Sequence, residues 1–473
     1  MKDLAFLRMK RRPQLGYSRL GSARLVPAVD LLLVAALVTD LVTPFFVSAG
    51  ILPGATSWIS HAFLLAAVVL AYTRMMIFDH LPGAVWAILG ISLIGVTVAL
   101  FRDQGFAATL WGWWLLFRFP LVGLYAYLHP GLPDRFSQWL LSFCLIVVGV
   151  EVLFQIGQYL SGETPGDDLS GTFGSHGVGH LMFLTVFTVS LAFGQWLAHS
   201  RWKPLVLALV LGTVSGVLAE NRMFPVAVLL LAAFAGLLLL ARGMQLRRLV
   251  ALLVVLGVGL VVFIRGYNAF VPGAQVVSFE ERFLDEDYVN SYLGKVRRSE
   301  VGGGVQQSYR MGRNLALEYA WSTIIGDPVT LLFGFGLGAR GDSISLGISG
   351  SALKQDKFVR GSNLVIMMQE MGLFGLVVIM GFVVWVTVAL IRDIRRYPHA
   401  PAVGLRYALL LFSVFWPLWL WYKKPLESRV TMLIYWVALG YVFRVSREYE
   451  RLNRPPAWTT QPSPGEGKAS SDL

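Results

Sequence analysis

Apolar residues in this chain gather into long separate runs, punctuated by short polar and basic connectors. Each run extends over roughly 17 to 25 residues, the length a helix needs to cross about 30 Å of hydrocarbon. The alternating ten-residue segments of a membrane β-barrel are not the pattern here. The spacing predicts an all-α polytopic membrane protein of about twelve transmembrane helices. Nine fall at Leu25–Val47, Ser57–Ile77, Ala84–Phe101, Thr109–Leu128, Ser137–Leu160, Gly177–Ala198, Pro204–Ala219, Met223–Ala241 and Leu246–Ile264. Three more fall at Asn363–Ile391, Leu405–Trp421 and Val430–Phe443. The basic amino-terminal residues 1–24 and the run that follows are both too long for a secretory signal, so the first span is read as uncleaved.

Composition agrees with the pattern, since 56% of the 473 residues are hydrophobic and only 14% charged. The formal charge of +12 does not point to nucleic acid, because the cations are placed by topology. With the amino terminus inside, Arg74, Arg135, Arg201, Lys203, Arg242, Arg247, Arg248, Arg392, Arg395, Arg396 and Arg406 all fall on the cytoplasmic side. Short outer connectors keep only Arg102, Arg222, Lys423, Lys424 and Arg429. The connector WYKKPLESR, with three outer cations, is the exception to the charge rule. The lone Cys144 leaves neither a disulfide framework nor a thiolate metal site.

This topology divides the chain into spans over residues 25–264, one large periplasmic segment over 265–361, spans over 362–445 and a cytoplasmic tail over 446–473 that is expected to be disordered. At roughly ninety-five residues the outer segment is too long for a connector and is expected to contain its own elements. An amphipathic helix is predicted over Gly312–Ile325, with Leu315 and Tyr319 on its apolar face. An acidic patch, FEERFLDEDY, lies upstream.

Charged groups within spans are costly, which makes each a functional candidate or a structural ion pair. Arg118 sits in mid-span, as a cavity-lining group or one member of such a pair. Glu151, Gln155 and Gln158 share one helix face as a polar stripe. Asp30 and Asp40 flank the centre of the first span and are read as packing groups. Arg222, in a tight outer hairpin after Glu220 and Asn221, must sit at membrane-surface level, where its planar fork suits phosphate oxygens. Arg310 and Arg313 lie on nearly one face, ahead of Gly334, Gly336 and Gly338, whose turn is expected to offer backbone amides to an anion. His176 and His180 have the right spacing for a metal but lack further ligands; a polar or proton-transfer role at a cavity mouth is the preferred reading, with no metal and no cofactor.

The order of these signals resembles the O-antigen ligase and O-antigen polymerase superfamily of bacterial envelope proteins. The resemblance rests on GTFG before a span, Arg222 at an outer hairpin, and a long outer segment with Arg313, Pro328, Gly334, Gly336 and Gly338, followed by Glu370, Gly372 and Gly375. It implies a membrane glycosyltransferase, broadly like the polytopic GT-C enzymes, in the bacterial inner membrane. Its donor would be an undecaprenyl-pyrophosphate-linked oligosaccharide and its partners an acceptor glycan, the lipid bilayer and a chain-length regulator or flippase. Family arginines that bind pyrophosphate correspond to Arg222 and Arg313, with Arg310 and Arg360 close by. If a base is needed to deprotonate the acceptor hydroxyl, Glu370, His180, Asp342 and Glu220 are the candidates, and geometry must choose among them; Arg118, Glu151, Gly336, Gly338 and Asn363 are read as lining the cavity. Family ligases carry His-Asn before the tenth span, where this chain reads Gly361, Ser362 and Asn363. That departure favours a polymerase of O-antigen, capsule or exopolysaccharide over a ligase, and a lipid-linked sugar transporter is the rival of a different class.

Overall fold

The computed structural model describes residues 20–78, 83–129, 132, 135–166, 169–174, 177–241, 243, 246–271, 296–300, 307–340, 342–343, 348–350, 362–400 and 402–453. The first group of helices is α1 (Leu20–Ser48), α2 (Trp58–Phe78), α3 (Gly83–Phe101), α4 (Phe106–Leu128) and α5 (Phe136–Leu160). It is followed by α6 (Val178–His199), α7 (Trp202–Leu218), α8 (Met223–Leu240) and α9 (Leu246–Phe270). The expected outer segment contributes an antiparallel ribbon of β1 (Val296–Glu300) and β2 (Gln307–Met311), then α10 (Arg313–Ile324) and α11 (Pro328–Phe333). A two-residue pair, β3 (Asp342–Ser343) with β4 (Ile348–Ser349), precedes α12 (Asn363–Arg396), α13 (Val403–Val414), α14 (Trp416–Tyr422) and α15 (Arg429–Asn453).

Each of the twelve predicted spans falls on a helix. Among the described residues, nine helices are long and apolar enough to cross a membrane, which makes this a multi-pass α-helical membrane protein. The other three runs differ in kind. Helix α7 is short, α13 and α14 form one run bent by 49°, and α15 turns charged in its second half. The boundaries also shift: α9 runs on to Phe270, past the predicted start of the outer segment, and α15 continues to Asn453, into the predicted tail.

Helix α6 is the centre, with 89% of its span buried against 11% for α1 and 17% for α9, whose outward faces carry apolar side chains. Where lipid replaces water, apolar contact alone does not drive helices together, and small residues that let backbones approach become decisive. A Cβ at Gly194 of α6 would lie 2.1 Å from the Gly404 carbonyl oxygen of α13, and one at Gly440 of α15 would lie 2.1 Å from the Gly123 oxygen of α4. At these contacts the backbones of α6 and α13, and of α4 and α15, press directly on one another.

The described connections at residues 49–57, 102–105, 161–166, 169–174, 219–222 and 423–428 lie on one face, tied to one another and to the same helix ends. Gly166 N donates to Leu218 O at 3.1 Å and Asn363 N to Lys423 O at 3.0 Å, while Arg429 reaches Ser57 O at 3.1 Å. We call this the loop face. The opposite face receives Arg201, Lys203, Arg392, Arg395 and Arg396 and is called the basic face.

Helix α12 is broken. Gly372 has φ +60° and ψ −152°, which interrupts the ladder near the loop face. The carbonyls released there are not left bare: Phe335 N donates to Gln369 O at 2.7 Å and Gly336 N to Glu370 O at 3.0 Å. The glycine turn after α11 therefore completes the helix it crosses.

Candidate functional site

The glycine turn is held from both ends. Asp327 caps α11 through the Val329 and Thr330 amides, with Pro328 in the first helical turn, where a missing N–H costs nothing. Its carboxylate also accepts from the Thr330 hydroxyl at 2.6 Å and pairs with Arg102 at the end of α3. The Thr330 hydroxyl and the Arg102 guanidinium hold the Asp327 carboxyl well below the usual carboxylate range. Further on, Gly336 and Gly338 have φ of +94° and +80°. A Cβ on Gly336 would lie 2.4 Å from Ala99 Cα of α3, and one on Gly338 would lie 1.9 Å from Ala108 O of α4. Glu370, 8% exposed, accepts the Arg340 amide at 3.0 Å and fixes the end of the turn.

This corrects the expectation of an open anion nest. The amides of Gly334, Phe335, Gly336, Ala339 and Arg340 are already engaged within the protein, and the glycines exist to let the chain press on three helices. Glu370 acts there as a fastener beneath the turn.

The stripe on α5 has a similar task. Glu151 accepts the Thr172 amide at 2.7 Å and also its hydroxyl, Gln155 donates to Leu169 O at 2.7 Å, and Gln158 accepts the Gly171 amide at 3.0 Å. Together the three side chains pin the turn from Leu169 to Gly174, which in turn rests on Pro44 and Ser48 of α1. Arg118, 1% exposed, stacks on Phe119 and lies 3.1 Å from His61 Nδ1, which also accepts from Trp114 at 3.1 Å. Trp114 can only donate, so Nδ1 carries no proton. Asp30 and Asp40 bridge helices as well, Asp30 to Tyr125 and His129 and Asp40 to Arg429 at 3.0 Å.

Arg222 sits at the predicted hairpin, but its guanidinium pairs with Glu220 and donates from Nε to the Tyr267 hydroxyl at 3.0 Å. Tyr267 donates in turn to Glu220 at 2.8 Å. The tight turn, with Glu220 at φ +50°, folds the carboxylate back onto the arginine and the end of α9 closes the triad. At the hairpin where a phosphate anchor was expected, Arg222 stands paired with Glu220 and Tyr267.

The cations that do gather around one place surround the connector read as an exception to the charge rule. Residues Pro425–Glu427 form a 3-10 turn wedged against α4 and α6. Asn363 clamps it, with its own N–H on Lys423 O and its Oδ1 accepting the Leu426 amide at 2.9 Å. Arg313, at the start of α10, donates to Tyr422 O at 2.6 Å and lies 4.1 Å above the Tyr422 ring. Arg429 is held by Asp40, Ser57 and Ser60. Lys424 lies 3.8 Å from Glu427, and the Lys423 stem packs against Gly179 of α6 beside His180, whose ring is 6.4 Å from Phe173. Arg313, Lys423, Lys424, Arg429, His180 and Asn363 thus share one neighbourhood, assembled from four separate stretches of chain.

Below this turn opens a cleft of about 1210 Å³ between α3, α4, α12 and α15. Its loop-face end is lined by Met367, Met371 and Leu426, its middle by Phe382, Trp436 and Leu439, and its basic-face end by Arg392, Arg396 and Arg447. Arg118, Glu151, Gly336, Gly338 and Asn363, expected to line a cavity, do not line this one; they stand behind or above it.

Arg310 pairs with Arg297 in the ribbon register, and Asp342 pairs with Ser349. His176, Arg360 and the acidic patch lie outside the described residues. Among the described residues, no group of three or more potential ligands is placed to hold a metal ion. No family model matches this chain, and no curated protein matches it.

Proposed function

We propose that the chain is a membrane glycosyltransferase of polysaccharide assembly, related to the O-antigen polymerases, with about twelve spans and its loop face toward the periplasm. The donor is a glycan on undecaprenyl pyrophosphate and the acceptor a second lipid-linked repeat unit. One observation carries this reading: the apolar cleft ends at Leu426, Met367 and Met371, directly beneath the turn bearing Lys423 and Lys424. An apolar groove capped by cations fits a lipid with an anionic, pyrophosphate-bearing head. Its tail lies along the cleft and its phosphates meet Lys423, Lys424 and Arg313. Arg222 contributes only if the phosphates displace Glu220 from it.

In the step itself, the acceptor hydroxyl oxygen bonds to the anomeric carbon while the carbon–oxygen bond to pyrophosphate breaks. Undecaprenyl pyrophosphate leaves with the electron pair, and the hydroxyl proton passes to a base. His180, next to Gly179 against which the Lys423 stem packs, is assigned that role. Fixed cations stabilise the charge growing on the leaving phosphate.

The break at Gly372 and the 49° bend between α13 and α14 favour a second reading, a transporter with discontinuous helices. Against it, two carbonyls freed at the break, those of Gln369 and Glu370, already accept amides of the glycine turn. The test compares polymer length in cells carrying Lys423→Gln with Lys424→Gln, and Arg313→Ala, at equal membrane levels. Each change is expected to shorten the polymer, with transfer slowed by ~100-fold where a charge-stabilising group is removed. Polymer of normal length in both sinks the assignment of this cluster.

A further inference from the structure

The basic-face end of the cleft has a chemistry of its own. Arg392 and Arg396 on α12 and Arg447 on α15 line it, along with Asp393, Glu450 and the rings of Tyr127 and Tyr397. Arg447 donates to the Tyr127 hydroxyl at 3.0 Å, and Arg396 lies 3.4 Å from Glu450 and 5.3 Å from the centre of the Tyr397 ring. Each guanidinium has five N–H donors, of which these bonds use one. Among the described residues, no ion pair engages Arg392.

A fourth arginine stands behind the wall. Arg406 of α13 is 0% exposed and donates from Nη2 to Ser446, a cleft residue, at 3.1 Å. Its Nε and Nη1 are buried without a hydrogen-bond partner. Three arginines and two acidic groups, Asp393 and Glu450, line this mouth, with the buried Arg406 behind them. Above the mouth the walls turn apolar at once, with Trp385, Phe382 and Phe443. From Arg396 to Gly375, on the unbroken part of α12, the wall is about 32 Å long at 1.5 Å per residue, more than one leaflet deep.

We infer that this end of the cleft binds an acidic phospholipid of the leaflet on the basic face. Its phosphate rests on Arg392, Arg396 and Arg447, and one acyl chain lies along Trp385, Phe382 and Phe443. The net positive mouth selects an anionic headgroup, the aromatic rings mark the interfacial level, and the open side of the cleft admits the chain from the bilayer. The site lies at the end opposite the cationic turn and does not depend on glycan transfer, so a failure of that activity leaves this assignment standing.

The test is native mass spectrometry of the detergent-purified full chain with phosphatidylglycerol, or with phosphatidylcholine of the same acyl chains. Preferential retention of phosphatidylglycerol is expected. Arg392→Gln with Arg447→Gln is expected to weaken it by about 25-fold, at roughly fivefold per arginine near an anionic lipid. Ala389→Trp, which fills the groove but leaves the arginines, is expected to weaken both lipids. If the double variant fails to fold, Arg447→Gln alone is read, with about fivefold expected. Equal retention of the two lipids by the wild type, or unchanged selectivity in the arginine variants, overturns the inference. So does full competition by soluble glycerol phosphate, which would reduce the site to a phosphate contact, or displacement by a neutral polyprenol, which would give this end to a prenyl tail.

Discussion

At the level of single residues, the glycine turn makes the sharpest claim. Gly338 combines a left-handed backbone with contact against the α4 backbone, so Gly338→Ala is expected to cost at least ~1–2 kcal/mol from the backbone alone, before the collision with Ala108 O. Gly326, with open space around its α-carbon, is the control. Thermal unfolding in detergent checks the pair: a lower midpoint for Gly338→Ala and none for Gly326→Ala. Asp327 adds a pH signature. Its folded carboxyl is held below its unfolded value of 3.8, so its contribution is full above about pH 4 and is lost only as pH falls through the folded value. The stability gap between wild type and Asp327→Asn is expected to stay constant from neutral pH to about pH 4 and to close in stronger acid. A gap that closes near neutrality would contradict the pairing with Thr330 and Arg102. Helical spacing sufficed to put Glu151, Gln155 and Gln158 on one face, yet it could not reveal that their partner is the backbone of the GTFG turn. A side chain's face follows from local geometry, whereas its partner follows from packing. Arg222 shows the same limit: the hairpin was legible, and its pairing with Tyr267 on another helix was not.

At the level of elements, α12 and the glycine turn form one unit. Gly372 and Gly334 meet at positive φ, where a Cβ on Gly372 would lie 2.7 Å from both Gly334 N and Leu331 O. Gly372→Ala is expected to raise amide exchange at Phe335 and Gly336 by at least tenfold, because both donate to carbonyls freed by the break. Exchange unchanged at those two amides would mean that the turn is held by other contacts. The sequence marked these glycines as a motif but not as a break, since glycine is common within membrane helices and leaves hydropathy unchanged. Helix α10 was placed within a residue of its observed bounds, but its buried face is Ala316, Ala320 and Ile324 against Val365 and Met368, next to the predicted Leu315 and Tyr319 face. In this segment small residues, not large ones, mark the contact, because the helix lies close on α12.

At the level of the whole molecule, the runs of apolar residues and the placement of loop cations were enough to find the helices and sort their connections onto two faces. The convergence of Arg313, His180, Asn363 and the Lys423–Arg429 connector was not legible, as the four stretches meet only after the bundle closes. The connector's surplus of cations was the one signal available, a break in the charge rule that packing turns into a cluster. On the function proposed above, this cluster and the cleft below it hold a lipid-pyrophosphate glycan for transfer. Liposomes containing the purified full chain and undecaprenyl-pyrophosphate-linked repeat units test it most directly. Longer glycans and matching release of undecaprenyl pyrophosphate are expected, both lost in Lys423→Gln with Lys424→Gln. Repeat units that cross the bilayer without lengthening, or that remain unchanged, would contradict it.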